Sequence, residues 1–92
     1  MITNSEIKYI KKLGKKRFRN LYSHFVVEGE KVFYDFFKSN IPIYKCYSTK
    51  KVQNQNNIIV TEKCMKRMTF LKNPSNILGI FSIPKKKKPP LD

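Results

Sequence analysis

Acidic residues are scarce in this chain: six Asp and Glu stand against twenty Lys and Arg. Few carboxylates remain for paired acid–base work, and none pairs with a second in a catalytic spacing. Glycine is scarcer still. Three glycines, none clustered, exclude the usual Gly-rich phosphate and dinucleotide loops. A single histidine, His24, and two isolated cysteines, Cys46 and Cys64, fit no metal spacing. The cysteines are expected as reduced core residues of a cytoplasmic protein. No apolar run is long enough to span a membrane, and no apolar segment follows the N-terminal charges as in a signal peptide. An enzyme complete within these residues is therefore not expected, and neither is a cofactor site in this chain.

What is present is positive charge and aromatic carbon. The 92 residues suit one domain, with 40% apolar residues including seven Phe and five Tyr. The formal charge is +14; the last eight residues hold four Lys and one Asp, +3, which leaves +11 on the body. Such a field attracts polyanions, nucleic acid ahead of an anionic membrane. No membrane partner is expected. A charged surface that only maintains solubility, on a domain that binds another protein, is the competing reading; salt-dependent RNA binding separates the two.

The chain reads as alternating helices and strands. Thr3 and Glu6 have the spacing of a capping box. Behind them Ile7, Ile10 and Leu13 form an apolar stripe on a helix whose other faces carry Lys8, Lys11, Lys12, Lys15 and Lys16. "KKRFRNLYS" follows as a turn or short helical extension with Phe18 and Leu21 inward. Phe25 to Val27 form a continuous apolar run, which suits a strand covered on both faces and predicts a central one. Gly29 opens a helix over about 30–39, where Val32, Phe33, Phe36 and Phe37 share the buried face, and where Phe37→Ala is expected to cost about 3–5 kcal/mol. Asn40 and Pro42 end it. Strands are predicted over 43–47 and 58–60. A helix capped by Thr61 then presents Cys64, Met65 and Met68, and a last strand lies in "ILGIFSIP". "KKVQNQNN" between the two middle strands reads as a loop or a short turn of helix. The order helix, strand, helix, strand, strand, helix, strand predicts a small three-layer α/β/α sandwich over residues 1–84. "KKKKPPLD", residues 85–92, reads as a linker cut off toward another domain.

The chemistry concentrates in "KKLGKKRFR". Lys15, Lys16, Arg17 and Arg19, preceded by Lys12, supply point charges and planar guanidinium forks for phosphates. A solvated helix end explains the same run, because basic residues suit the helix dipole. The overall charge favours nucleic-acid contact. Glu28, at the strand end, is expected to cap the N–H groups of the next helix. Arg19 can instead pair with Glu28 and hold the turn.

"KRFRNLYSHFVVEGEKVF" resembles the signature of the N-terminal substrate-binding domain of SpoU/TrmH-type RNA 2′-O-ribose methyltransferases. Arg19, Phe25 and Glu28-Gly29 stand at its Arg, Phe and Glu-Gly. "ITNSEIKYIKKL" is similar to that family's first helix, and "NPSNILGIFSIP" to its last strand before the catalytic domain. The likeness covers residues 2–84. The chain departs from the pattern at Ser23, where the family often has Gly, and at Ser75-Asn76, where it has Gln-Gly. The Asn-Gly-Arg hallmark of the catalytic domain has no counterpart.

The resemblance implies a fold like the L7Ae/L30e ribosomal proteins and a division of labour. This domain would grip structured RNA, rRNA or tRNA. A separate domain would bind S-adenosylmethionine and transfer the methyl group. It also implies a monomer for this chain and a homodimer for a parent, since dimerisation lies with the catalytic domain. A stand-alone, ribosomal-type RNA-binding protein is the alternative. On the first reading the RNA-binding residues are Lys12, Lys15, Lys16, Arg17 and Arg19.

Overall fold

The computed structural model describes residues 2–51 and 57–83. The elements are α1 (Asn4–Lys12), α2 (Lys16–Tyr22), β1 (His24–Glu28), α3 (Glu30–Lys38), β2 (Ile43–Ser48), β3 (Asn57–Ile59), α4 (Glu62–Met68) and β4 (Ile77–Ser82). Most of the middle loop, Pro84 and the linker lie outside the described residues.

Four strands form one sheet in the order β1-β4-β2-β3. β4 runs antiparallel to both β1 and β2, and β3 joins β2 in parallel. Helices cover both faces. On one, Ile7, Ile10 and Leu13 meet Met65 and Met68 of α4 over Tyr47, Leu78 and Ile80. On the other, Phe33 of α3 packs with Val27, Cys46, Ile77 and Phe81. The chain is thus an α/β/α sandwich, as the alternation predicts.

Local chemistry sets the element ends. The Thr3 hydroxyl accepts from the Glu6 N–H at 3.1 Å while the Glu6 carboxylate accepts from the Thr3 N–H, completing the capping box. Thr61 caps α4 by accepting from the Cys64 N–H. Ser23, at the position where the resembling family often has Gly, takes a left-handed φ of 57°, and Asn40 one of 60°. The family's glycine therefore answers a backbone need that Ser23 meets with some strain. Gly79 in β4 lies under α3: a Cβ there would stand 2.7 Å from the Phe33 ring and 2.8 Å from the Phe81 ring. Only glycine lets that helix approach so closely.

Several expectations are corrected. β1 is an edge strand; β4 and β2 are the interior ones, and β4 is buried from Ile77 to Phe81. The apolar run in β1 reports burial on two faces rather than a central place: Val26 packs toward α1, and Phe25 and Val27 toward α3. On α3 only Phe33 is fully buried. Val32 and Phe37 are 46% and 42% exposed, because the helix rests on the sheet along the narrow line over Gly79. Phe37 stacks on Phe33 at 6.2 Å, so its truncation should cost well below the figure for a core Phe. "KKRFRNLYS" forms a full helix, α2, that buries no residue completely; Phe18 is half-buried and Leu21 is 69% exposed.

Glu28 does not cap α3. Its carboxylate crosses the molecule, accepting from the Thr69 hydroxyl and from the Phe70 N–H at 3.0 Å. It thereby ties β1 to the end of α4.

Candidate nucleic-acid interface

Lys8, Lys11, Lys12 and Lys15 recur at i, i+3, i+4 and i+7, so they fall along one side of α1 and its extension. With Arg17 and Phe18 of α2 they surround an open hollow of about 490 Å³. The Phe18 ring lies 4.7 Å from the Arg17 guanidinium carbon and 5.7 Å from Lys12 Nζ, in cation–π range. The one ion pair found among the described residues, Lys45 to Glu6 at 3.5 Å, lies elsewhere. None of the charges around the hollow has a carboxylate partner among the described residues.

The structure sorts the residues singled out in the sequence. Lys12, Lys15 and Arg17 line the hollow. Lys16 is exposed but does not line it. Arg19 points away: its guanidinium donates to the Leu13 carbonyl at 2.9 Å and closes the α1–α2 turn. The alternative partner for Arg19, Glu28, is engaged by Thr69 and Phe70. Two lining residues escaped the sequence reading. Lys8 is one. The other is Lys11, whose Nζ donates to the Thr69 carbonyl at 2.6 Å and lies 4.6 Å from the Phe70 ring. Helical spacing of Lys marked both, but the denser run downstream outweighed it.

Aromatic rings continue the surface beyond Phe18. Tyr22 stacks on Phe18 at 6.2 Å and meets Tyr9 edge-on at 5.1 Å. The Tyr9 hydroxyl hydrogen-bonds His24 Nδ1, and His24 stacks on Tyr44 at 4.4 Å. Burial lowers the His24 pKa below its ordinary 6.5. Lys45 Nζ stands 5.6 Å from the Tyr44 ring. Beside it burial raises the Glu6 pKa, but hydrogen bonds from the Tyr47 hydroxyl and the Thr3 N–H, with the Lys45 charge, outweigh this and leave it lowered.

A mixed four-stranded sheet between helical layers, with a cationic surface on its first two helices, defines a small α/β domain. A family model, the MRM3-like substrate binding domain, matches residues 4–79, and the chain belongs to that family. Comparison with curated proteins found no match. Among solved structures, a protein assigned to the TrmH family of RNA methyltransferases, from Porphyromonas gingivalis, superposes with a TM-score of 0.81 at 18% identity over 97% of this chain and 38% of that one. An RNA 2′-O ribose methyltransferase gives 0.77 at 16% identity over 98% of this chain and 39% of its own. An rRNA methyltransferase from Sinorhizobium meliloti, solved also with AdoMet bound, gives 0.75 at 26% identity over 94% of this chain and 36% of that one. The chain thus spans less than two-fifths of the solved structures it matches.

AdoMet carries a sulfonium cation. The hollow ringed by Lys8, Lys11, Lys12, Lys15 and Arg17 opposes that charge, so these residues do not fit the cofactor. Among the described residues no three His, Cys, Asp or Glu side chains gather as a metal ion would require. No helix among the described residues is long and apolar enough to cross a membrane.

Proposed function

We propose that this domain holds structured RNA, rRNA or tRNA, for a 2′-O-ribose methyltransferase of the SpoU/TrmH type. Methyl transfer from S-adenosylmethionine belongs, on this reading, to a catalytic domain outside this chain. The observation that carries the reading is the row Lys8, Lys12, Lys15 and Arg17 around Phe18, exposed and without carboxylate partners among the described residues, with Lys11 beside them on the Thr69 carbonyl. Membership of a substrate-binding family supplies the context. Point charges along a helix position phosphates without reading bases, as recognition of a folded RNA by shape requires.

Binding of a structured RNA measured over a range of salt tests this. Each phosphate contact contributes about 0.7 to 0.9 to the log–log slope, so Lys12→Ala, Lys15→Ala and Arg17→Ala together should lower it by about 2 to 3. Lys16→Ala, off the hollow, should change it little. A triple variant that binds as tightly as the parent with the same slope would leave the run a solvated helix end and refute the proposal.

A further inference from the structure

We infer that Tyr22 and Tyr44, braced by Tyr9 and His24, form a platform on which unpaired bases of RNA stack while the neighbouring phosphates lie along the α1–α2 cations. The inference rests on the RNA-binding reading above and extends it from backbone contact to base contact.

Tyr22 and Tyr44 are 38% and 46% exposed, large rings left half outside a core that has room for few exposed aromatics. They come from α2 and β2, far apart in sequence, yet both rings lean on Tyr9, at 5.1 and 6.5 Å, and so share one surface. His24 and Phe18 hold their other sides by stacking. Rings fixed in this way lose little freedom when a base settles on them. Phe18 also lines the cationic hollow, so the aromatic strip and the phosphate-binding row are continuous.

The charges along the strip point to a base rather than a phosphate. Its far end opens on a hollow of about 200 Å³ bounded by Tyr9, Tyr44, Lys45 and Glu6. The Glu6 carboxylate there pairs with Lys45 at 3.5 Å, so this end of the strip offers a phosphate no unpaired cation. His24, hydrogen-bonded to the Tyr9 hydroxyl and stacked on Tyr44, has its pKa lowered by burial, so it braces the platform as a neutral ring at pH 7. Paired RNA hides its base faces, whereas loops and bulges present them; an aromatic platform therefore selects unpaired nucleotides.

The test compares a short oligouridine with an RNA duplex of equal phosphate number. Tyr22→Ala with Tyr44→Ala should weaken oligouridine binding by about tenfold or more, leave duplex binding unchanged, and preserve the salt slope of both. Tyr44→Phe should bind as the parent does. A single-stranded probe carrying 2-aminopurine should lose fluorescence on the parent protein as its base stacks. This second measurement needs no variant and decides the matter if the double variant does not fold. Equal loss on duplex and single strand, or an unquenched probe, would overturn the platform. Lys12→Ala, Lys15→Ala and Arg17→Ala should flatten the slope for both RNAs. If that triple variant flattens nothing, the RNA-binding reading itself fails. If it flattens the slope while the tyrosine variant binds oligouridine normally, only the platform does.

Discussion

Helices α1 and α3 are both nine residues long and lie against opposite faces of one sheet, yet they differ in what they show to solvent. From Asn4 to Tyr22 the chain carries seven Lys and Arg against one Glu, a net +6. Across α3, Lys31 and Lys38 balance Glu30 and Asp35 to zero. The inward sides differ in the opposite sense. α1 inserts slim aliphatic residues, Ile7 and Ile10, whereas α3 drives in one ring, Phe33, against a glycine. The domain thus concentrates its charge on one surface and a large ring in the packing of the other, so changes to the two helices should affect different properties.

The largest expected effect lies on the neutral face. Phe33→Ala should cost about 3–5 kcal/mol in denaturant unfolding, whereas Phe37→Ala, at the rim, should cost about 1 kcal/mol. Equal costs would show that α3 buries a broader face than the contact line over Gly79 implies. Arg19→Ala should come next. It removes a charged donor from the Leu13 carbonyl and should lower stability by about 1 kcal/mol while leaving the salt dependence of RNA binding unchanged. A fallen slope would return Arg19 to the phosphate-binding row.

Acid should act on the aromatic end of the charged surface. The folded pKa of His24 lies below the ordinary 6.5, so its neutral form is favoured by folding. The stability this brings is complete above pH 6.5 and is lost as pH falls from there through the folded value. The groups facing it are the Tyr9 hydroxyl, whose pKa burial raises above its ordinary 10, the Tyr44 ring and, across Tyr44, Lys45. Thermal melts should therefore decline below pH 6.5 in the parent, and less in His24→Phe. The smallest effect is expected from Lys31→Ala with Lys38→Ala. Removing two cations from α3 should leave the RNA salt slope unaltered, and a drop would erase the contrast between the faces.

The same contrast explains what could be read from sequence. In α1, polar residues bound the apolar stripe tightly, and Thr3, Glu6, Ile7, Ile10 and Leu13 all fall where their spacing puts them. In α3, apolar residues crowd both sides of Phe33, and spacing alone does not separate the ring over Gly79 from those at the rim. Local runs also conceal direction. Arg19 stands two residues from Arg17 but turns to the Leu13 carbonyl, which only the geometry of the α1–α2 turn decides. Glu28 finds its partners Thr69 and Phe70 more than forty residues along the chain, beyond the reach of any local signal. The aromatic strip is likewise assembled from α1, α2, β1 and β2, and appears only once the sheet brings them together.

The sheet order also governs how the chain can be built on the ribosome. β1 and β2 are not hydrogen-bonded to each other; each pairs with β4, which is made after both. Until Ile77 to Ser82 emerge, the earlier strands form two separate pieces, β1 alone and β2 with β3, each exposing an edge. The decisive pairings join residues about thirty to sixty positions apart, so folding is governed by late, non-local contacts. A nascent chain stalled before Ile77 would carry sixteen of its twenty Lys and Arg with no completed sheet beneath them, a species prone to adhere to polyanions without order.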